Sequence, residues 1–181
     1  MRVIAGEFRS RKLKSLPGVE TRPTPDRLRE TLFNILAPRI PGTVFLDAYA
    51  GTGAVGIEAL SRGARRAIFV DRARAAAGVI RENLEALGIS GRAEVFCGKA
   101  TQVIERVAAG IVFLDPPYEL EKEYESTLTA LGSSEASLVI AQHARKAELK
   151  SDYGALTKVR EVRQGDNALS FFEPRCQGER E

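Results

Sequence analysis

Two stretches of this sequence combine residue types that could do chemistry. The first is Asp115-Pro116-Pro117-Tyr118, which closes the apolar run Ile111–Leu114. Proline donates nothing to a strand ladder and disfavours helix in the residue before it. The segment is therefore a stiff extended stub carrying an acid and an aromatic where a buried strand stops. The second is Gly51-Thr-Gly-Ala-Val-Gly56, a G-x-G-x-x-G run between a strand and a helix, with Asp71 twenty residues beyond Gly51. Glycines let backbone approach a ligand, a helix N-terminus favours negative charge, and an acid ending the next strand accepts from ribose hydroxyls. A dinucleotide, S-adenosylmethionine and simple tight-turn glycines all fit this run. Asp47 in "DAYAGTG" favours the second, because its carboxylate would repel a pyrophosphate but could pair with the ammonium of a methionine moiety.

The surrounding pattern supplies elements to position these groups. "TVFLDAYA" (43–50), "RAIFVD" (66–71), "AEVFCG" (93–98), "IVFLD" (111–115) and "ASLVIAQH" (136–143) read as strands. Helical stretches follow the first four: "AVGIEALSRG", "RARAAAGVIRENLEALG" (72–88), "ATQVIERVAAG" (100–110) and a segment around 121–131. Such alternation predicts a mainly parallel sheet with helices on both faces. Strands near 155–163 and 167–173, separated by "RQGDN", predict an antiparallel hairpin at the sheet edge. The stub and the glycine loop then share the carboxyl edge of the sheet, where open α/β sheets bind ligands.

Residues 1–40 depart from this rhythm. "RVIAGEFRSRKLKSL" reads as a small hairpin, and "TRPTPDRLRETLFNIL" opens a helix with an apolar stripe through Leu28, Leu32, Phe33, Ile35 and Leu36. The predicted organisation is an N-terminal appendage over 1–40, a sheet domain over 41–175 and a tail over 176–181. The appendage holds nine Lys/Arg against four acids, while the other 141 residues carry 18 basic and 20 acidic side chains. A basic segment on a near-neutral body suits a polyanion partner, with solvated surface as the plainer reading. Arg9, Arg11, Lys12, Arg22 and Arg27 are the candidate phosphate contacts. Cys97 and Cys176 stand apart and His143 is the single histidine, so neither a disulfide scaffold nor a His/Cys metal site is expected. His143 reads as a packed or solvated side chain. No apolar run is long enough for a membrane helix, and a cytoplasmic protein is expected.

"DAYAGTGAVGIEAL" with "DPPY" resembles the class I S-adenosylmethionine-dependent methyltransferases that modify exocyclic amines of bases. "RVIAGEFRSRKL" and "TRPTPDRLRETLFNIL" narrow the resemblance to the bacterial RsmD family, over nearly the whole chain up to about Pro174. Ser10 departs from that family, which more often has glycine there. Lys99 stands near where many methyltransferases place an acid for the adenine amine. The resemblance implies a Rossmann-like class I methyltransferase sheet with S-adenosyl-L-methionine as cofactor, held by Asp47, Ala50, Gly51, Gly53, Asp71, Arg72, Lys99, Ala100 and Asp115. It also implies methylation of guanine N2 in 16S ribosomal RNA, within a small-subunit ribonucleoprotein, by a monomer. Asp115 and the Pro116 carbonyl would accept from the target amine, Pro116 and Pro117 would fix that geometry, and Tyr118 would stack on the base. Adenine N6, a protein glutamine amide, a dinucleotide-dependent oxidation and a binding module without catalysis remain alternatives at this level.

Overall fold

The computed structural model describes residues 1–16, 26–117 and 121–175. Strands β1 (Val44–Asp47), β2 (Arg66–Asp71), β3 (Ala93–Cys97), β4 (Ile111–Leu114) and β5 (Leu138–Ala144) run parallel. The short β6 (Asp152–Tyr153), β7 (Leu156–Gln164) and β8 (Asn167–Pro174) are antiparallel. Together they make one eight-stranded sheet in the order β3-β2-β1-β4-β5-β8-β7-β6. Parallel strands covered on both faces are read from sequence as unbroken apolar runs, which is how β1, β2, β4 and β5 are written. The expected hairpin forms as β7–β8, but the two-residue β6 lies outside it, so β7 is not the edge.

Five helices cover the sheet: α1 (Asp26–Leu36), α2 (Ala54–Ser61), α3 (Arg74–Ala86), α4 (Ala100–Ile104) and α5 (Glu121–Leu131). Alternation along each strand sends neighbouring residues to opposite faces. Phe45, Phe113 and Ile140 pack with Leu28, Leu32 and Phe33 of α1 and with Val55 of α2. Leu46, Val112, Leu114 and Val139 pack on the other face with Ile104, Leu128 and Leu131. The helix expected over 100–110 stops near residue 104, because Gly110 is drawn into the sheet: its N–H donates to the Val44 carbonyl at 3.0 Å and its carbonyl accepts from Ser137 at 2.9 Å. No helix among the described residues is long and apolar enough to cross a membrane.

The strand order reverses between β1 and β4. β2 and β3 lie on one side of that point, β5 on the other. The loop after β1 therefore parts from the segment after β4, and a crevice opens between them at the carboxyl ends of the strands.

Candidate active site

A cavity of about 390 Å³ fills this crevice. Its walls come from both sides of the reversal: Asp47, Ala50 and Gly51 after β1, Asp71 and Arg72 after β2, and Asp115, Pro116 and Pro117 after β4. Residues some 70 positions apart meet here, because the strand order sets β1 directly between β2 and β4.

Asp47 is buried at the end of β1, and its Oδ2 accepts from the Gly56 N–H in the first turn of α2 at 3.0 Å. Burial pushes its carboxyl up to about 7; the Gly56 bond acts against that rise, while Asp115 and Asp71 add to it. Gly56 serves packing, since a Cβ there would lie 2.3 Å from Cε1 of Phe69 on β2. Its missing side chain lets α2 sit close enough to the sheet to aim its N-terminus at the crevice. Gly51 differs: it lines the cavity, and a Cβ there would meet nothing within 4 Å. The room above its backbone is ligand-sized and open, which fits a nucleoside-bearing cofactor.

Asp71 joins two loops. Its Oδ2 accepts from the Gly51 N–H at 2.9 Å and its Oδ1 from the Ala73 N–H at 2.8 Å. Each carboxylate oxygen keeps a further acceptor direction for a hydroxyl. A second chain of contacts crosses the mouth. The Arg72 guanidinium donates to Glu123 at 2.6 Å, the Tyr49 hydroxyl donates to the other Glu123 oxygen at 3.0 Å, and Tyr49 also bonds Thr127 at 2.7 Å. Burial raises the Tyr49 hydroxyl to about 12, so it stays protonated and holds α5 against the loop after β1.

Among the candidate cofactor residues, Asp47, Ala50, Gly51, Asp71, Arg72, Ala100 and Asp115 meet around one cavity. Gly53, with φ of 80°, supports the loop from the helix side. Lys99 is exposed at the start of α4 and does not line the cavity, whereas its neighbours Gly98 and Ala100 do. Tyr118 lies outside the described residues. His143 is buried, pairs through Nε2 with Ser170 at 2.9 Å and stands edge-on to Tyr124, so it is a packing residue with its pKa lowered by burial. Tyr49, Arg29, Glu123 and Gln142 also line the cavity; Tyr49 and Arg29 fall within the quoted motifs, whereas nothing in their sequence surroundings marks Glu123 and Gln142.

A family model described as Conserved hypothetical protein 95 matches residues 1–173. The Bacillus subtilis (strain 168) protein YlbH is 36% identical, over 97% of this chain and 100% of its own length. The solved Escherichia coli protein yhhF superposes with a TM-score of 0.82 at 34% identity, covering 98% of this chain and 99% of that one. Ribosomal RNA small subunit methyltransferase D of Escherichia coli (strain K12) is 42% identical over 65% of this chain, a stretch spanning 60% of that relative. This chain belongs to the RsmD family of methyltransferases.

The first fourteen residues of the basic segment of this RsmD-family chain are bonded to the sheet domain. The expected hairpin is present in minimal form, as one antiparallel bridge between Arg2 and Lys12. Val3 and Leu13 bury their side chains against Ile57 and Leu60 of α2. The buried Glu58 carboxylate accepts from the Ile4 and Ala5 N–H groups at 2.8 and 3.0 Å, and Asn83 Oδ1 accepts from Lys14 N–H at 2.7 Å. Arg9, Arg11 and Lys12 are exposed on this anchored loop, with Arg11 donating to the Ala86 carbonyl at 3.3 Å, and Arg27 is exposed on α1; Arg22 lies outside the described residues. Ser10 sits at φ of 68°, the left-handed region that disfavours a Cβ. That is the position where the family more often has glycine.

Proposed function

We propose that this RsmD-family chain transfers a methyl group from S-adenosyl-L-methionine to the exocyclic N2 amine of a guanine in 16S ribosomal RNA, presented in a preassembled small-subunit particle. In this reading it works as a cytoplasmic monomer. The observation that carries the reading is the placement of Asp115 and Pro116 in the same cavity as Gly51 and Asp71, on opposite sides of the strand-order reversal. The name of the Escherichia coli relative supports the choice of small-subunit RNA.

The cofactor, when bound, supplies an electrophilic methyl on a sulfonium, so the protein need only place an amine against it. Gly51 and Ala50 would offer close backbone approach, Asp71 would accept from ribose hydroxyls, and Asp47 would face the methionine ammonium. An arylamine is a poor nucleophile because its lone pair is conjugated into the ring. Asp115 and the Pro116 carbonyl accept its N–H bonds and favour the tetrahedral nitrogen; Pro116 and Pro117 hold the acceptors in place beforehand. Tyr118 supplies a stacking face for the base. Arg9, Arg11, Lys12, Arg22 and Arg27 meet RNA phosphates, the first three from the anchored loop. Nucleoside mass spectrometry of small-subunit RNA from a strain deleted for this gene tests the proposal. One N2-methylguanosine should disappear and return with the wild-type gene; loss of N6-methyladenosine in its place would overturn the guanine assignment.

A further inference from the structure

Two side chains in the cavity wall are buried with a polar atom left over. Gln142 is 2% exposed and its amide Oε1 has no hydrogen-bond partner among the described residues. Arg29 is 1% exposed, and while its Nη2 donates to the Arg2 carbonyl at 2.6 Å and to Asp26 at 3.0 Å, its Nε has none. A buried polar group without a partner costs stability, so each of these atoms calls for a partner beyond the protein's own groups, a water or a ligand. Both residues line the cavity beside Asp115 and Pro116.

Their position follows from the sheet. Phe113 pairs with Ile140 and Leu114 with Ala141 in the parallel β4–β5 ladder. One step further sets Gln142 beside Asp115, and two residues on from Phe113 and Ile140 both fall on the α1 face. Helix α1 crosses that face and brings Arg29 there through the same buried stripe as Leu28 and Leu32. The candidate cofactor groups Gly51, Asp71, Arg72 and Ala100 belong to the β1–β2–β3 side. Gln142, on the β5 side, and Arg29, on α1, therefore lie apart from those groups.

Resting on the function proposed above, we infer that Gln142 and Arg29 read the target base, and that they are what selects guanine. On its pairing edge guanine carries an N1–H donor next to the N2 amine and the O6 acceptor beyond it. With the amine at Asp115 and Pro116, the N1–H meets Gln142 Oε1 and O6 meets Arg29 Nε. Adenine presents a lone pair at N1, which sets acceptor against acceptor. A site built around a substrate N–H rejects the analogue that lacks it, because its own buried atom then stays unpaired.

The experiment compares target-position guanine with 2-aminopurine, which keeps the 2-amine but has no N1–H and no O6, in reconstituted small-subunit particles. The position is first mapped from the wild-type reaction. Wild-type protein should prefer guanine in kcat/KM by roughly 10- to 100-fold. Gln142→Leu should lower the guanine value about as much, raise the 2-aminopurine value by relieving its acceptor–acceptor contact, and keep or raise Tm, since it removes an orphaned buried amide. Equal wild-type rates on the two bases, or a Leu variant with unimpaired guanine methylation, would overturn the inference. A wild-type reaction that yields no N2-methylguanosine on any particle breaks the proposed function itself, and the inference with it.

Discussion

The two halves of the cavity are finished to different degrees. On the β1–β2 side the protein satisfies its own polar groups: Asp71 accepts from Gly51 and Ala73, and Asp47 accepts from Gly56. On the β4–β5 side it leaves Gln142 Oε1 and Arg29 Nε buried and unpaired. The first half has the shape of a site whose backbone is set before a ligand arrives, so that little ordering is spent on binding. The second holds one acceptor and one donor atom with no partner among the described residues. If Gln142 and Arg29 read the base, preorganisation and discrimination fall on opposite sides of the line where the strand order reverses.

The comparison breaks most visibly at Asp115. Asp115→Ala should lower methyl transfer by at least about 100-fold while cofactor affinity stays within a few-fold, because the acid acts on the amine as its bonding changes. Single-turnover rates beside calorimetric cofactor titration separate the two effects, and a near-normal rate would remove Asp115 from the chemistry. Asp71→Ala is the converse change. Cofactor binding should weaken by about 1.5–3 kcal/mol, the scale of hydrogen bonds to a charged group, and calorimetry giving wild-type affinity would show that the carboxylate serves only to tie Gly51 to Ala73.

A pH titration sharpens the contrast further. Asp47 has a folded-state pKa of about 7, above its unfolded value. Between about pH 4 and about pH 7 the folded carboxyl keeps a proton that the unfolded chain has released, so its contribution to stability declines as pH rises through that window and is level above it. An ammonium partner needs the ionised form, so cofactor affinity should move the opposite way, falling by up to about tenfold per pH unit below about 7. Asp47→Asn should flatten both profiles; an affinity profile unchanged by that variant would detach Asp47 from the ligand. The smallest expected effect lies outside the cavity. Ser10→Gly relieves a left-handed φ and should raise stability by about 0.5–1 kcal/mol in denaturant melts, with cofactor affinity unchanged.

Several features were legible because they are local. Unbroken apolar runs announce buried parallel strands, and β1, β2, β4 and β5 lie where those runs are. A glycine run before a helix and a Pro-Pro stub after a strand restrict the backbone by themselves, whatever surrounds them. The α4 boundary was missed because helical pattern continues past residue 104 while Gly110 is claimed by hydrogen bonds to Val44 and Ser137, partners distant in the chain. Lys99, which the resemblance places among the cofactor contacts, is exposed and does not line the cavity, while its neighbours Gly98 and Ala100 do.

By itself the sequence determined the strand–helix alternation, the glycine loop with Asp71 at the next strand's end, and the stiff acid-bearing stub after β4. Only the tertiary structure decided that a basic N-terminal segment is locked onto α2 through buried Glu58 and not hung from it. It alone decided that Gln142 and Arg29, unremarkable by type and spacing, reach one cavity with polar atoms left unpaired. The physical reason is that backbone restriction is a property of neighbouring residues. Burial without a partner is set by everything the fold brings near an atom, here from α1, β4 and β5 together.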